Sequence, residues 1–234
     1  GMSGAQAKAG VIAKGICIVA EINPEATSKR HKQGWVDEVY KDLDELINRA
    51  IQARENKEAV SIAYDGNIVD LWERLVERNI DIELGSDQTS LHNPWAGGYY
   101  PVGVSFEDAN NMMTNNPEQF KKEVQRTLVR HTNAINTLTE RGMYFFDYGN
   151  AFLLEANRAG ANILNEKGGF KYPSYVQDIM GPMCFDYGFG PFRWVCSSNS
   201  AIDLAITDRI ATEVLEKLIK NSPKEIQLQM QDNI

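Results

Sequence analysis

The chain has little cysteine, and what it has is not arranged for a disulfide framework or a zinc site. Cys17, Cys184 and Cys196 are its three cysteines, and neither a CxxC pair nor a His/Cys cluster occurs in the sequence. The sequence therefore predicts no metal site. Free cysteines are typical of proteins kept in a reducing compartment, so we expect a cytoplasmic protein.

Long apolar runs and an excess of positive charge are also absent. No apolar stretch approaches the roughly 18 residues that a membrane-spanning helix needs, and the first residues do not resemble a signal peptide. The formal net charge of −8 argues against a nucleic-acid partner and gives no reason to expect a membrane partner. The 234 residues, 43% of them hydrophobic, suffice for one or two globular domains.

Short apolar segments alternate with segments of helical periodicity along most of the chain. The short apolar segments predict strands at 15–21, 59–64, 81–84 and 143–146. The periodic segments predict helices at 4–14, 35–55, after the cap residue Asn67, and at 117–141, 151–158 and 201–220. The polar tail from Asn221 is expected to fray.

This alternation indicates an α/β protein with a Rossmann-like parallel sheet, right-handed crossovers and flanking helices. The chain opens at a loop rather than at a strand, so we expect the sheet to lack its first strand. The helical pattern near the end of the chain predicts a helical C-terminal extension.

The polar segments of the chain follow its predicted strands, where parallel sheets bind ligands. The longest, 86–101, combines amide, hydroxyl, imidazole and phenol groups with glycines and has almost no aliphatic side chain. A loop of this length is uncommon in a compact domain unless it binds something. The alternative for His92 and its neighbours is an ordinary surface turn.

The opening residues could bind a pyrophosphate. Gly1, Met2 and Ser3 precede a helix of small residues, where glycine permits close approach and the helix N-terminus favours an anion. Glu21 ends a strand twenty residues after Gly1, a spacing at which an acid can hold ribose hydroxyls and disfavour a 2′-phosphate. Since no complete GxGxxG is present, a small-residue turn and a surface glutamate remain the alternative.

Arg193 lies between aromatic residues in the segment 188–194, where glycine and proline restrain the backbone. Such an arginine can clamp a carboxylate through two parallel hydrogen bonds. The alternative is an arginine stacked on Trp194 for packing. Cys196 is interpreted as a core cysteine, and His131 is interpreted as a helix residue without a chemical role.

Three motifs together resemble the urocanase (urocanate hydratase) family: 86–101, 142–150 and 188–194. The opening Gly-Met-Ser-Gly-Ala-Gln is similar to the glycine loop of the same family, so the likeness spans nearly the whole chain. The resemblance implies an enzyme that adds water to urocanate, giving imidazolonepropionate in histidine breakdown. It also implies tightly bound NAD+ that acts as an electrophile rather than as a hydride acceptor.

The resemblance assigns cofactor contacts to the strand ends and a substrate contact to the later arginine motif. The implied NAD-binding residues are Gly1, Met2, Ser3, Glu21, Asn67, Ile68, Gln88, Thr89, Ser90, Leu91, His92, Tyr99, Tyr100 and Tyr148. The residue implied to bind the substrate carboxylate is Arg193.

In the family, the NAD domain is inserted into a larger core domain, and a later segment supplies the catalytic cysteine. No cysteine of this chain falls in that motif, so we expect a fragment that does not turn over urocanate alone. The expected parts are a Rossmann-like NAD-binding domain at 1–175 and a return segment toward the core domain at 176–234.

A strand edge left open by the missing first strand predicts a homo-oligomer. The alternative function is a non-catalytic nucleotide-binding or self-associating module. An ordinary NAD dehydrogenase is a weaker alternative, because no separate domain for a hydride-transfer substrate is recognisable.

Overall fold

A computed structural model of the chain describes residues 2–149, 151–188 and 196–231. The chain divides into two compact units, Gly1–Tyr172 and Pro173–Ile234. Among the helices described, none is both long and apolar enough to span a bilayer.

The first unit contains a three-stranded parallel sheet with β3 at its centre. Its strands are β1 (Ile16–Glu21), β2 (Glu38–Tyr40) and β3 (Val60–Asp65), in the order β1-β3-β2. β3 is the most buried of the three, as expected for a strand that pairs on both sides. The register aligns Glu21 with Asp65, so two acidic residues end neighbouring strands.

A second parallel pair lies in the same unit. It consists of β4 (Leu84–Asp87) and β5 (Tyr144–Asp147), aligned so that Asp87 is opposite Asp147. The prediction of an α/β protein with parallel strands and flanking helices is confirmed. The strands form two hydrogen-bonded sheets, however, rather than a single sheet.

Among the described residues of the first unit, seven α-helices flank these strands, and several begin at polar caps that the sequence displays. Asp42, Asn67 and Ser105 each accept hydrogen bonds from amides of the first helical turn. The helices are α1 (Met2–Ile12), α2 (Pro24–Lys32), α3 (Leu43–Asn56), α4 (Ile68–Glu77), α5 (Phe106–Asn115), α6 (Pro117–Glu140) and α7 (Ala151–Arg158).

One apolar core connects both sheets with the long helix α6. Phe120, Leu128 and Ile135 present one face of α6 to it, and Phe145 of β5 packs against Phe152 of α7. Full burial of such a side chain contributes about 1.5–3 kcal/mol. The core therefore supports the strand ends that carry the polar loop.

The predicted helix at 35–55 is wrong over its first third. Glu38–Tyr40 forms β2, and the helix begins at Leu43 after the cap Asp42. The apolar periodicity includes Val39, but Val39 pairs with Ala63 of β3, so a contact distant in sequence decides its conformation. Helix α2 was not predicted, although Asn23 is its cap and Pro24 its first residue.

The strand predicted at 81–84 lies three residues later, at Leu84–Asp87. Ser86 and Asp87 are polar and were predicted to lie in the loop. A Cβ at Gly85 would lie 2.8 Å from Met143 Sδ and 3.0 Å from the Trp72 ring, so this strand packs at close range on its neighbours. The polar loop therefore begins after Asp87.

The second unit is helical. It contains a single turn, α8 (Gly181–Met183), and two longer helices, α9 (Ala201–Asn221) and α10 (Lys224–Gln231). Ser200 caps α9 by accepting a hydrogen bond from the Asp203 amide. The expectation of a frayed tail is wrong over 224–231, because Met230 is buried with Cys184 in a small apolar cluster.

Candidate functional site

Glu21, at the carboxyl end of β1, organises the turn that follows it. Its Oε1 accepts a hydrogen bond from the Asn23 amide at 2.9 Å, and its carbonyl accepts one from the Gly66 amide at 3.0 Å. The side chain is half-buried. Glu21 therefore ties the ends of β1 and β3 together while part of its carboxylate still reaches the surface.

Asn67 links the end of β3 to the polar loop. Its Oδ1 accepts from the Val69 amide and caps α4, while its Nδ2 donates to the Tyr100 carbonyl at 3.0 Å. The Tyr100 hydroxyl donates to Asn110. Burial and then the nearby negative charge of Glu21 raise the pKa of the Tyr100 phenol against the lowering effect of Asn110. Glu21, Asn67 and Tyr100 thus lie together, and Ile68 follows them at the start of α4.

Gln88 begins the polar loop with one unsatisfied polar atom. Its Nε2 donates to Ser86 Oγ at 2.8 Å. Its Oε1 is buried and has no hydrogen-bond partner among the residues that the structure describes. An unpaired buried acceptor costs roughly 1–3 kcal/mol, so this oxygen is suited to accept a hydrogen bond from a ligand.

Asp87 holds the next residue of the loop. Its Oδ1 accepts from both the Thr89 amide at 3.0 Å and the Thr89 hydroxyl at 2.6 Å. Its carbonyl accepts from the Tyr148 amide at 3.3 Å, which connects the two strand ends of the second sheet. Asp87 therefore fixes two predicted cofactor residues at once.

The remainder of the loop folds back on itself. The Ser90 amide donates to the Gly98 carbonyl at 3.1 Å, and the Asn93 amide donates to the Ser90 carbonyl at 2.9 Å. A Cβ at Gly98 would lie 2.2 Å from the Ser90 carbonyl oxygen, a distance that no side chain tolerates. Leu91 is buried in the core, whereas His92 and Ser90 are exposed.

Tyr99 points its ring into the core. The side chain is 3% exposed, and its hydroxyl is hydrogen-bonded to His131 Nδ1 at 2.9 Å. Burial lowers the pKa of His131 to about 3, so the imidazole is neutral. Its Nε2 is buried without a hydrogen-bond partner among the described residues. The sequence alone assigns His131 no role, but its hydrogen bond with Tyr99 anchors the polar loop to α6.

The two acids that end β4 and β5 are both buried. Burial raises the pKa of Asp87 to about 7, against the lowering hydrogen bonds of Thr89, and the charge of Asp147 adds to the rise. Burial also raises the pKa of Asp147, which accepts hydrogen bonds from the Gly149 and Leu153 amides and so caps α7. No sequence signal distinguished Asp87 from the polar run in which it lies.

The remaining predicted residues lie at the start of the chain and in the second unit. Helix α1 begins at Met2, so Met2 and Ser3 belong to its first turn rather than to a preceding loop. Gly1 and Arg193 lie outside the described residues. Within the described ranges, no group of three or more His, Cys, Asp or Glu residues is arranged to hold a metal ion.

The interpretation of Cys196 as a core residue is wrong. The side chain is half-exposed, and its Sγ lies 3.2 Å from Ser198 Oγ. The hydrogen bond between Cys196 and Ser198 lowers the pKa of the Cys196 thiol, and nearby backbone groups lower it further. The buried cysteine of this unit is Cys184. Cys196 lies next to the polar cap of α9, which keeps it near solvent.

Comparison with known protein families matches almost the whole chain. A family profile described as the urocanase Rossmann-like domain matches residues 1–179, and one described as the urocanase C-terminal domain matches residues 182–232.

Individual relatives agree with these profiles. A probable urocanate hydratase of Dictyostelium discoideum is 59% identical over 239 residues, which cover all of this chain and 35% of that protein. The urocanate hydratase of Mus musculus is 54% identical and is covered to 36%. A probable urocanate hydratase of Halobacterium salinarum is 33% identical over 92% of this chain and 37% of its own length. The chain thus spans about a third of the length of these relatives.

Proposed function

The chain belongs to the urocanase family, and we propose that it forms the NAD+-binding part of a urocanate hydratase. The proposed reaction of the whole enzyme is the addition of water to urocanate, giving imidazolonepropionate in histidine breakdown. The proposed partners of the site are NAD+ and urocanate. The proposal depends most on Gln88 Oε1, which is buried and lacks a hydrogen-bond donor among the described residues.

Gln88 fits the nicotinamide end of the cofactor. The carboxamide of nicotinamide carries N–H donors, and Gln88 Oε1 is a buried acceptor that lacks one. The donor side of the Gln88 amide is already engaged by Ser86 Oγ, which fixes the orientation of the oxygen. Such a preset acceptor rejects a ligand that has no matching donor.

The ribose and pyrophosphate have suitable partners beside the first sheet. Glu21 has its Oε1 occupied by the Asn23 amide, which fixes the side chain while leaving the carboxylate charge near Tyr100. A fixed carboxylate suits ribose hydroxyls and repels a 2′-phosphate, which favours NAD over NADP. The first-turn amides of α1, at Met2 and Ser3, are suited to a pyrophosphate.

Bound NAD+ would supply an electrophilic ring to the substrate. The residues of this chain would bind and orient it: Asn67 fixes the Tyr100 backbone, and Asp87 fixes Thr89 and Tyr148. Ser90, Leu91 and His92 complete the loop, with Leu91 as its apolar anchor. Arg193 is proposed to bind the urocanate carboxylate through its planar guanidinium.

We extend the proposal to location and assembly. The cysteines of the described residues are free, which suits the reducing cytoplasm. β1 pairs only with β3, so its other edge has no strand partner among the described residues. An open edge of this kind favours pairing between copies, and we propose a homo-oligomer.

Calorimetric titration of NAD+ into the 234-residue chain tests the cofactor proposal. We expect saturable binding, a weaker response to NADP+, and a Kd for NAD+ at least about tenfold higher in Gln88→Ala, which loses the acceptor. Gln52→Ala is the matched control, because Gln52 is exposed on α3. Absence of binding, or equal affinity of the two variants, would contradict the proposal.

The same titration discriminates the alternative of a self-associating module. Such a module would associate in sedimentation experiments without any response to NAD+. A nucleotide-binding module without a urocanase role would bind NAD+ but would not bind urocanate when NAD+ is present.

A further inference from the structure

Asp87 connects the loop after β4 with the segment after β5. Its carboxylate receives two hydrogen bonds from Thr89, and its carbonyl receives one from the Tyr148 amide. Thr89 belongs to the loop after β4, and Tyr148 belongs to the segment after β5. Asp87 therefore contacts both segments, the first through its side chain and the second through its main chain.

The surroundings of Asp87 disfavour its ionised form. The side chain is 4% exposed, and Asp147, directly opposite in the register, is 3% exposed. Two buried carboxylates at adjacent strand ends repel each other. Asp147 is itself held in place because it caps α7 through the Leu153 amide. A capping residue such as Asn or Ser would carry no such repulsion, so the pair is not needed for capping alone.

We propose that Asp87 is a positioning residue of the cofactor site: its ionised carboxylate holds Thr89 in the binding geometry, its main-chain carbonyl holds Tyr148, and Asp147 opposes the negative charge. The inference rests on the proposed function, since the positioned residues are the proposed contacts of NAD+. Asp87 acts through these residues and is not assigned to the chemistry itself.

The proposal makes cofactor binding depend on pH. The groups that face Asp87 are Thr89 from its own loop, Asp147 from β5, and the Tyr99 phenol. Behind Tyr99, α6 contributes the neutral His131. Burial raises the pKa of Asp87 to about 7, so the carboxylate is protonated in acid and becomes the stronger acceptor for Thr89 as the pH rises. NAD+ affinity should rise with it.

Calorimetric titration of NAD+ between pH 5.5 and 8.5 tests this claim on the 234-residue chain. For the unaltered protein, we expect the Kd to fall by up to about tenfold from pH 6 to pH 8 and then to level off. In Asp87→Asn, which keeps an acceptor for Thr89 but cannot ionise, this inflection should disappear. In Asp147→Asn, it should move to lower pH, because one opposing charge is gone.

Two results would overturn the proposal. One is an Asp87→Asn profile that keeps the inflection, which would show that the titration of another group causes it. The other is an Asp147→Asn profile with an unmoved inflection, which would remove the opposition between the two acids. A merely structural role would lower stability in both variants without changing the pH profile.

Amide hydrogen exchange in the absence of any cofactor separates this inference from the proposed function. After correction for the intrinsic pH effect, the Thr89 amide should be more protected at pH 8 than at pH 6, and Asp87→Ala should abolish that difference. The Val69 amide, which donates to Asn67, is the internal control. Failure of NAD+ to bind would refute the proposed function, whereas equal Thr89 protection at both pH values would refute the role of Asp87.

Discussion

The strand pairs of both sheets in the first unit end in acidic residues, but these residues are buried to different extents. β1 and β3 end at Glu21 and Asp65, which are half-buried, and Lys41 Nζ lies 3.8 Å from Asp65. β4 and β5 end at Asp87 and Asp147, which are almost fully buried. Glu21 and Asp65 are therefore accessible to a ligand. Asp87 and Asp147 are enclosed, so they can affect a ligand only through the segments to which they are hydrogen-bonded.

This difference indicates a division of tasks at the strand ends. The half-buried acid Glu21 presents charge at the surface, and the buried acid Asp87 sets the backbone that carries Thr89 and Tyr148. Tyr100, in the loop after β4, contacts the strand ends of the first sheet. Its carbonyl accepts a hydrogen bond from Asn67, and the charge of Glu21 raises the pKa of its phenol. A substitution at either end should therefore alter cofactor binding, but by different mechanisms.

The largest effect on cofactor binding is expected from Gly98→Ala. The new Cβ would meet the carbonyl oxygens of Ser90 and Asn93 at 2.2 and 2.4 Å, so the polar loop must open. We expect NAD+ binding to fall below detection in calorimetry, with a loss of about 1–3 kcal/mol in the free energy of unfolding. Gly181→Ala is the control, because its Cβ would make only an ordinary contact at 3.8 Å. Normal binding by Gly98→Ala would show that the loop is not part of the site.

The free energy of unfolding should fall as the pH rises, because Asp87 is buried. This is the direction opposite to that expected for NAD+ affinity. The pKa of Asp87 is about 7 in the folded protein, above its ordinary value of 3.8, so the folded state retains the proton over this range. Its contribution to stability is full below about pH 4 and is lost as the pH rises through 7, by about 4 kcal/mol at most. Urea denaturation at pH 4 and pH 8 should show this loss in the unaltered chain and a smaller one in Asp87→Asn.

Asp65→Asn is the matched comparison at the half-buried strand ends. If it reduces the pH dependence of stability as much as Asp87→Asn does, the proposed contrast between the two pairs is incorrect.

A smaller effect is expected from Glu21→Gln. The amide still accepts from Asn23 but carries no charge for the ribose hydroxyls, so the Kd for NAD+ should rise about tenfold. Because the repulsion of a 2′-phosphate is also removed, the preference for NAD+ over NADP+ should shrink. Glu25→Gln should leave both values unchanged, because Glu25 is exposed in the first turn of α2. An unaltered preference in Glu21→Gln would remove Glu21 from the site.

The smallest effect is expected from Tyr99→Phe. The change deletes one buried hydroxyl and leaves His131 Nδ1 without its partner, at a cost of about 1 kcal/mol in the free energy of unfolding. Denaturant titration measures this cost, and Tyr144→Phe is the control because Tyr144 is 51% exposed. Equal stability of both variants would show that the buried pair does not anchor the loop.

The sequence predicted the features that depend on local signals. Helix α7 has the predicted bounds, Asn67 caps α4 as expected, and the apolar centres of β1 and β3 are strands. In each case, the deciding information lies within a few residues: a cap, a short apolar run or a glycine. The parallel α/β class follows from the order of these elements.

The errors arose where a distant partner decides the structure. β2 is only three residues long and exists through its pairing with β3. β4 includes the polar Ser86 and Asp87, so hydrophobicity alone ended the strand too early. The contact between Tyr99 and His131 joins residues 32 positions apart, and nothing local indicates it. The role of Asp87 depends on Asp147, which only the strand register brings opposite it.

The most direct test of a shared site is an amide chemical-shift titration of the isotope-labelled 234-residue chain with NAD+. We expect the Asn23 and Gly66 amides, at the strand ends of the first sheet, and the Thr89 and Tyr148 amides, at those of the second, to shift together with one common Kd. Shifts confined to the strand ends of one sheet, or separate Kd values for each, would contradict a shared site.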